Sequence, residues 1–198
     1  DIHQNGCPVH GTAANRNGLY TWGYSLDRPF RIVCPAGGEE YPSNDFAAFL
    51  ASGGRDRSLL TGDYPDDGWG WQKPGEAHAT WFVAYYAHWS MQREVRGALE
   101  ALSQGALLSD DPARARVFAH KAALLLWQLA VYYPDYDYAT QARESKEHNP
   151  SYTGRITNMI WEVGWADTCA VAYDAVWPHL ADDLELQRQA GLDAAGLD

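Results

Sequence analysis

The stretch from Asp111 to Tyr132, which reads DPARARVFAHKAALLLWQLAVY, decides the fold class. Asp111 has a side chain suited to capping a helix, and Pro112 suits the first helical position, where no backbone N–H is needed. Apolar side chains then recur at the spacing of one helix face, at Phe118, Ala122, Leu125, Leu129 and Tyr132. The pattern predicts a long helix that ends at Pro134.

Other helical patterns lie on both sides of this stretch. A short one follows the cap-type residues 43–45 and stops at Gly53 and Gly54, and a longer one runs over 77–108. A third long helix is expected from about Gly154 to Trp177, interrupted by Pro178, with a further helix from Asp182. The predicted face of this third helix consists of Met159, Val163, Ala166, Ala170, Tyr173 and Trp177.

The N-terminal residues read differently, because Gly, Pro and Asn are frequent there and no helical period is visible. The run 31–34 is a short β-prone segment. We therefore expect two parts, an irregular, short-stranded lead-in over 1–44 and a helical domain over 45–198. Long helices joined by short or medium connections predict an all-α fold, either a bundle or an (α/α) toroid of antiparallel helical hairpins.

Composition excludes some functions. The formal charge of −11 argues against nucleic acid as a partner, because phosphate binding requires clustered Lys and Arg. No apolar run approaches the roughly 18 residues of a membrane span. The nine Trp and twelve Tyr suit sugar binding, since flat aromatic faces stack on pyranose rings, and they suit a tryptophan-rich core equally well.

Two short segments of the lead-in have the form of metal-binding knuckles. They are CPVHG at 7–11 and CPAGG at 34–38, each with a cysteine before a proline and a glycine turn. Cys7, His10 and Cys34 are the candidate ligands, and a structural zinc site normally closes with four. A structural zinc, a Cys7–Cys34 disulfide and two reduced packing cysteines are the three alternatives.

Two polar and aromatic segments are candidate sugar-binding surfaces. In the first, Asp67 and Trp69 combine a hydroxyl acceptor with a stacking face, or else form an Asp-Gly turn folded onto the core. The second is a loop running into the third long helix, and its alternative is a solvated helix start in which Glu162 pairs with Arg155 or another neighbour. Its candidate residues are His148, Asn149, Tyr152, Arg155, Asn158, Trp161 and Glu162.

Taken together, these motifs resemble the N-terminal region of heparinase II/III-like polysaccharide lyases, over most of the chain. The resemblance is carried by CPVHG at 7–11 with CPAGGEEYPSNDF at 34–46, DGWG at 67–70 with WFVAYY at 81–86, and GRI at 154–156 with WE at 161–162 and AYD at 172–174.

The resemblance implies the front part of a larger periplasmic or secreted enzyme, folded as an incomplete (α/α) toroid. It implies cleavage of acidic, uronic-acid-containing polysaccharides, glycosaminoglycan-like or alginate-like, by β-elimination, with no cofactor required. The family's catalytic elements come later in its toroid and in a following β region, so no catalytic residue is assigned here. The candidate residues of the two surfaces are expected to line or support the cleft.

Two other functions remain open at this point. A glycoside hydrolase on the same architecture needs a pair of carboxylates, for which Asp66 or Asp67 with Glu162 is the candidate. A non-catalytic carbohydrate-binding module would keep the aromatic residues and need no titrating pair.

Overall fold

The structure is a computed structural model that describes residues 2–76, 79–136, 156 and 159–191. It is mostly helical, with one small antiparallel sheet, which confirms the expected class in its coarse form. The chain divides into two compact units, and their described parts run up to Ser90 and from Met91 onward. The predicted lead-in lies within the first unit.

The described part of the first unit contains three α-helices and a three-stranded sheet. They are α1 (Ile2–Asn5), β1 (Gly23–Tyr24), β2 (Ile32–Val33), β3 (Glu40–Tyr41), α2 (Phe46–Ala51) and α3 (Phe82–Trp89). Short 3₁₀ turns cover Thr12–Asn15 and Arg57–Leu59, and a π-helical stretch, Ser90–Val95, follows α3.

The second unit contains long helices. They are α4 (Arg96–Leu108), α5 (Pro112–Tyr132), α6 (Met159–Leu180) and the shorter α7 (Leu184–Gln189), with a 3₁₀ turn at Tyr133–Asp135 after α5. Helices α4, α5 and α6 pack on one another around a core that includes Leu99, Ala122, Trp165 and Val176.

The sheet of the first unit has β2 in its centre. Tyr24 of β1 and Tyr41 of β3 lie opposite Ile32 of β2 in antiparallel pairs. Ile32 and Tyr41 of the sheet are buried together with Trp22 and aromatic residues of α3. The Tyr41 ring stacks on that of Phe82, with ring centroids 4.7 Å apart. Much of the aromatic content of this unit therefore forms its core.

Two predicted helices have the caps that the sequence indicates. Asp45 accepts a hydrogen bond from the backbone N–H of Ala48 and begins α2, while Asp111 accepts one from Ala113 and begins α5. The short strand predicted at 31–34 and the helix expected after Asp182 are also present, as β2 and α7.

The helix predicted over 77–108 begins later in the structure and is not one regular helix. Its first turn is at Phe82, because Thr80 is held in an isolated β-bridge to Trp71, with both backbone hydrogen bonds at 2.8 Å. A β-bridge fixes extended backbone, which a helix cannot continue. The π-helical stretch then separates α3 from α4.

The expected interruption at Pro178 was wrong, since α6 continues through that residue to Leu180. Proline removes one backbone N–H donor and crowds the preceding turn. Pro178 lies within the last turn of the helix, and the helix ends two residues after it.

The predicted face of the third long helix was also wrong. Val163, Tyr173 and Trp177 are exposed in α6, whereas Trp165, Ala172 and Val176 are buried. The helix is apolar nearly all round, so the pattern by itself does not select the buried stripe. No helix among the described residues is both long enough and apolar enough to cross a membrane.

Candidate functional site

Four metal-ligand groups converge in the first unit. Their ligand atoms, on Cys7, His10, Cys34 and Glu39, all lie within 4.8 Å of one another. The Nδ1 atom of His10 is 3.6 Å from the Sγ of Cys7, 3.7 Å from the Sγ of Cys34 and 3.2 Å from the Oε2 of Glu39. The structure thus contains a cluster that can hold a metal ion.

Two tight loops bring these groups together. In the first, Cys7 and Gly11 exchange two backbone hydrogen bonds, of 3.0 and 2.7 Å, and this turns His10 back towards Cys7. The second connects β2 to β3, where Cys34 donates to the carbonyl of Glu39 at 2.8 Å and accepts from Gly38 at 2.9 Å. Each cysteine therefore shares its loop with one of the other two ligands.

Neighbouring groups shift the pKa values of the Cys7 and Cys34 thiols. Burial raises the pKa of Cys7, but hydrogen bonds from Tyr41, from the backbone and imidazole of His10 and from the N–H of Val9 outweigh it and leave this pKa below its ordinary value. The Tyr41 hydroxyl is 3.1 Å from the sulfur of Cys7. Burial raises the pKa of Cys34, against the opposing effect of backbone amides in its own loop. The Tyr41 hydroxyl and the N–H of Val9 remain available as donors to the Cys7 sulfur when the Nδ1 of His10 binds a metal ion.

The two sulfur–nitrogen distances of the cluster fit a tetrahedral ion. With Zn–S of ~2.3 Å and Zn–N of ~2.0 Å, tetrahedral geometry separates sulfur from nitrogen by about 3.5 Å. The two observed sulfur–nitrogen distances, 3.6 and 3.7 Å, match that separation. All three cysteines are free thiols, so the structure holds no Cys7–Cys34 disulfide.

Glu39 is the member of the cluster that the sequence reasoning missed. In the second knuckle Gly37 occupies the position that His10 has in the first, so the two motifs contain only three ligand-type residues. The second loop is longer than the first, and its ligand comes five residues after the cysteine rather than three. The sequence feature that indicates this fourth ligand is the acidic pair Glu39-Glu40 directly after the second knuckle.

The loop that carries Asp67 and Trp69 is organised by the buried Asp66. Its Oδ1 accepts from the N–H groups of Gly68 at 2.7 Å and Gly70 at 2.9 Å. Its Oδ2 accepts from Phe82 at 3.0 Å and Val83 at 3.1 Å, at the beginning of α3. Burial raises the pKa of the Asp66 carboxyl, and these backbone donors act in the opposite direction. Asp66 therefore fixes the loop and is too enclosed to serve as a hydrolase carboxylate.

Asp67 and Trp69 lie on the outside of this loop. The side chain of Trp69 is 48% exposed, and its ring meets Trp81 edge to face at 6.5 Å. Asp67 accepts from the backbone N–H of Trp69 at 3.0 Å and forms an ion pair with Arg57 at 2.8 Å. A cation, a carboxylate and an indole ring thus lie together at the surface.

The second predicted surface is only partly described. His148, Asn149, Tyr152, Arg155 and Asn158 lie outside the described residues. Trp161 is exposed at the beginning of α6, and Glu162 accepts hydrogen bonds from the Tyr133 hydroxyl and, at 3.3 Å, from the backbone N–H of Ile156. Glu162 therefore accepts from two donors of its own unit.

No family model matches this chain, and neither a curated protein nor a solved structure matches it.

Proposed function

We propose that this chain is the N-terminal portion of a polysaccharide lyase that cleaves uronic-acid-containing polysaccharide by β-elimination, in the periplasm or outside the cell. The motif resemblance to heparinase II/III-like enzymes supports the reaction class. The proposed architecture is a partial (α/α) toroid.

One observation carries the carbohydrate part of the proposal, namely the fixed, exposed ring of Trp69. The hydrogen bonds from Gly68 and Gly70 to Asp66 restrict the backbone of the loop, and the edge-to-face contact with Trp81 restricts the Trp69 ring, so little conformational freedom is lost on binding. Arg57 and Asp67 beside it supply a donor and an acceptor for sugar hydroxyls. This combination suits a polar polymer with flat, apolar ring faces.

The exposed apolar face of α6 supports the toroid. Val163, Tyr173 and Trp177 on that helix lie opposite the stripe that forms the core. In a toroid each helix packs against neighbours on more than one side, so apolar residues all round a helix are expected.

The lyase reaction is tested on protein expressed from the complete reading frame. We expect unsaturated uronate ends, followed by ultraviolet absorbance, from at least one member of a panel of uronic-acid polysaccharides. Trp69→Ala is expected to weaken polysaccharide binding about ten-fold, which corresponds to about 1.4 kcal/mol. Leu50→Ala, which also removes an exposed apolar side chain of the first unit, is the control.

Three results would contradict parts of this proposal. Saturated products would indicate a hydrolase, and binding without turnover would indicate a carbohydrate-binding module. Equal binding by Trp69→Ala and Leu50→Ala would remove Trp69 from the binding surface.

A second role concerns the metal cluster, and we propose that it holds one structural zinc ion. The two sulfur–nitrogen distances support zinc, as does the mixture of thiolate and imidazole ligands, which zinc prefers to a hard cation such as Mg²⁺. The ion would tie the loop 7–11 to the loop 34–39, in a part of the chain where the regular elements are short.

Metal analysis of protein purified without chelators tests this role. We expect one zinc per chain in the wild type and a loss of bound zinc in Cys34→Ser. Cys169→Ser, which changes a cysteine outside the cluster, is expected to retain the ion. Wild-type protein that neither contains nor takes up zinc would overturn the proposal.

A further inference from the structure

Glu39 lies where a fourth ligand would complete the cluster. We infer that its carboxylate coordinates the ion directly, so that the site is a closed Cys₂HisGlu centre with no position left for water or substrate. This inference rests on the proposed zinc site and adds a ligand that the knuckle motifs do not contain.

The first support is the state of the Glu39 carboxylate. Its Oε2 atom is shielded from solvent and has no hydrogen-bond donor, although it is 3.2 Å from the Nδ1 of His10. A shielded carboxylate oxygen that accepts no hydrogen bond and contacts one imidazole nitrogen is poorly compensated, and a cation at the centre of the cluster removes that penalty. A proton shared with His10 would satisfy only two of the four converging atoms.

The second support is the space that Gly37 leaves between the two loops. A Cβ atom at position 37 would lie 2.2 Å from the Cε1 of His10 and 2.4 and 2.5 Å from the two carboxylate oxygens of Glu39. Any side chain there would force His10 and Glu39 apart. The loop therefore permits the close approach of these two groups that common coordination requires.

The fourth ligand decides what the metal can do. Catalytic zinc sites keep one position open for water or substrate, whereas structural sites are filled by four protein ligands. With Glu39 bound, this centre fixes the fold of the first unit and takes no part in bond cleavage. The substrate surface and the metal are then separate features.

A pair of adjacent glutamates provides the matched test. Glu39→Gln keeps the size of the side chain but replaces the anionic oxygen with a weak neutral ligand. Glu40→Gln makes the same change next to it, where Glu40 forms an exposed ion pair with Arg28. Zinc affinity is measured by competition with a chromophoric chelator, and ligand geometry by the visible absorption of the cobalt-substituted protein.

We expect Glu39→Gln to weaken zinc binding by about 100-fold, since even the loss of a residue that only orients a ligand lowers affinity 10- to 100-fold. Its cobalt spectrum should lose intensity in the bands of tetrahedral cobalt, and Glu40→Gln should match the wild type. If both variants bind zinc like the wild type, Glu39 is not a ligand, although the zinc site itself stands. If the wild type binds no zinc, both the site and this inference fail.

Discussion

At the scale of single residues, Asp66 shows how one buried side chain organises a loop. Its two oxygens accept four backbone N–H bonds, two from the loop of Trp69 and two from the beginning of α3. Asn44 adds to this arrangement, since its side chain exchanges two hydrogen bonds with the backbone of Asp66. The position of the Trp69 loop therefore depends on two fully buried residues, Asp66 and Asn44.

We expect Asp66→Asn to lower the free energy of unfolding of the first unit by about 3 kcal/mol. An amide offers one acceptor oxygen, and its NH₂ group faces backbone donors that it cannot satisfy. The measurement is urea unfolding followed by tryptophan fluorescence. Asp63→Asn, at an exposed position in the same loop, should change stability by less than about 0.5 kcal/mol. Equal stability of the two variants would contradict the role given to Asp66.

At the scale of elements, α4 contains two glycines in different surroundings. A Cβ atom at Gly105 would lie 2.7 and 2.9 Å from ring atoms of Phe118 on α5, whereas a Cβ atom at Gly97 would meet nothing within 4 Å. Gly105 thus allows α4 and α5 to approach closely, and Gly97 has no comparable packing role. The same substitution should have opposite effects at the two positions.

We expect Gly97→Ala to raise the free energy of unfolding of the second unit by about 0.5–1 kcal/mol, because alanine is the better helix former. Gly105→Ala should lower it by about 1–3 kcal/mol, because Phe118 must move out of its packed position. Urea unfolding followed by far-ultraviolet circular dichroism measures both. A stabilised Gly105→Ala variant would show that the contact with Phe118 is easily relieved.

At the scale of the whole molecule, different interactions stabilise the fold of each of the two units. The second unit is built on three long helices around an apolar core. The first has short strands and short helices, an aromatic core and the proposed zinc cluster. Because the metal ligands belong to the first unit alone, metal removal should affect the two units unequally.

Chelation of zinc is therefore expected to change the near-ultraviolet circular dichroism, to which the packed Trp and Tyr residues of the first unit contribute. The helical signal in the far ultraviolet, which comes largely from the long helices, should change much less. Zinc readdition should restore the wild-type spectrum, because metal binding and folding are coupled in small zinc centres. A uniform loss of both signals would show that the second unit also depends on the metal.

The sequence by itself determined the helical class and the caps of α2 and α5, because capping and apolar periodicity are local properties of neighbouring residues. It also singled out Cys7, His10 and Cys34, whose knuckles are local. Tertiary structure alone decided which stripe of α6 is buried, since that helix is apolar nearly all round. It also decided the start of α3, the enclosed position of Asp66 and the approach of Glu39 to His10, because each depends on segments that are distant in sequence and meet only in the folded chain.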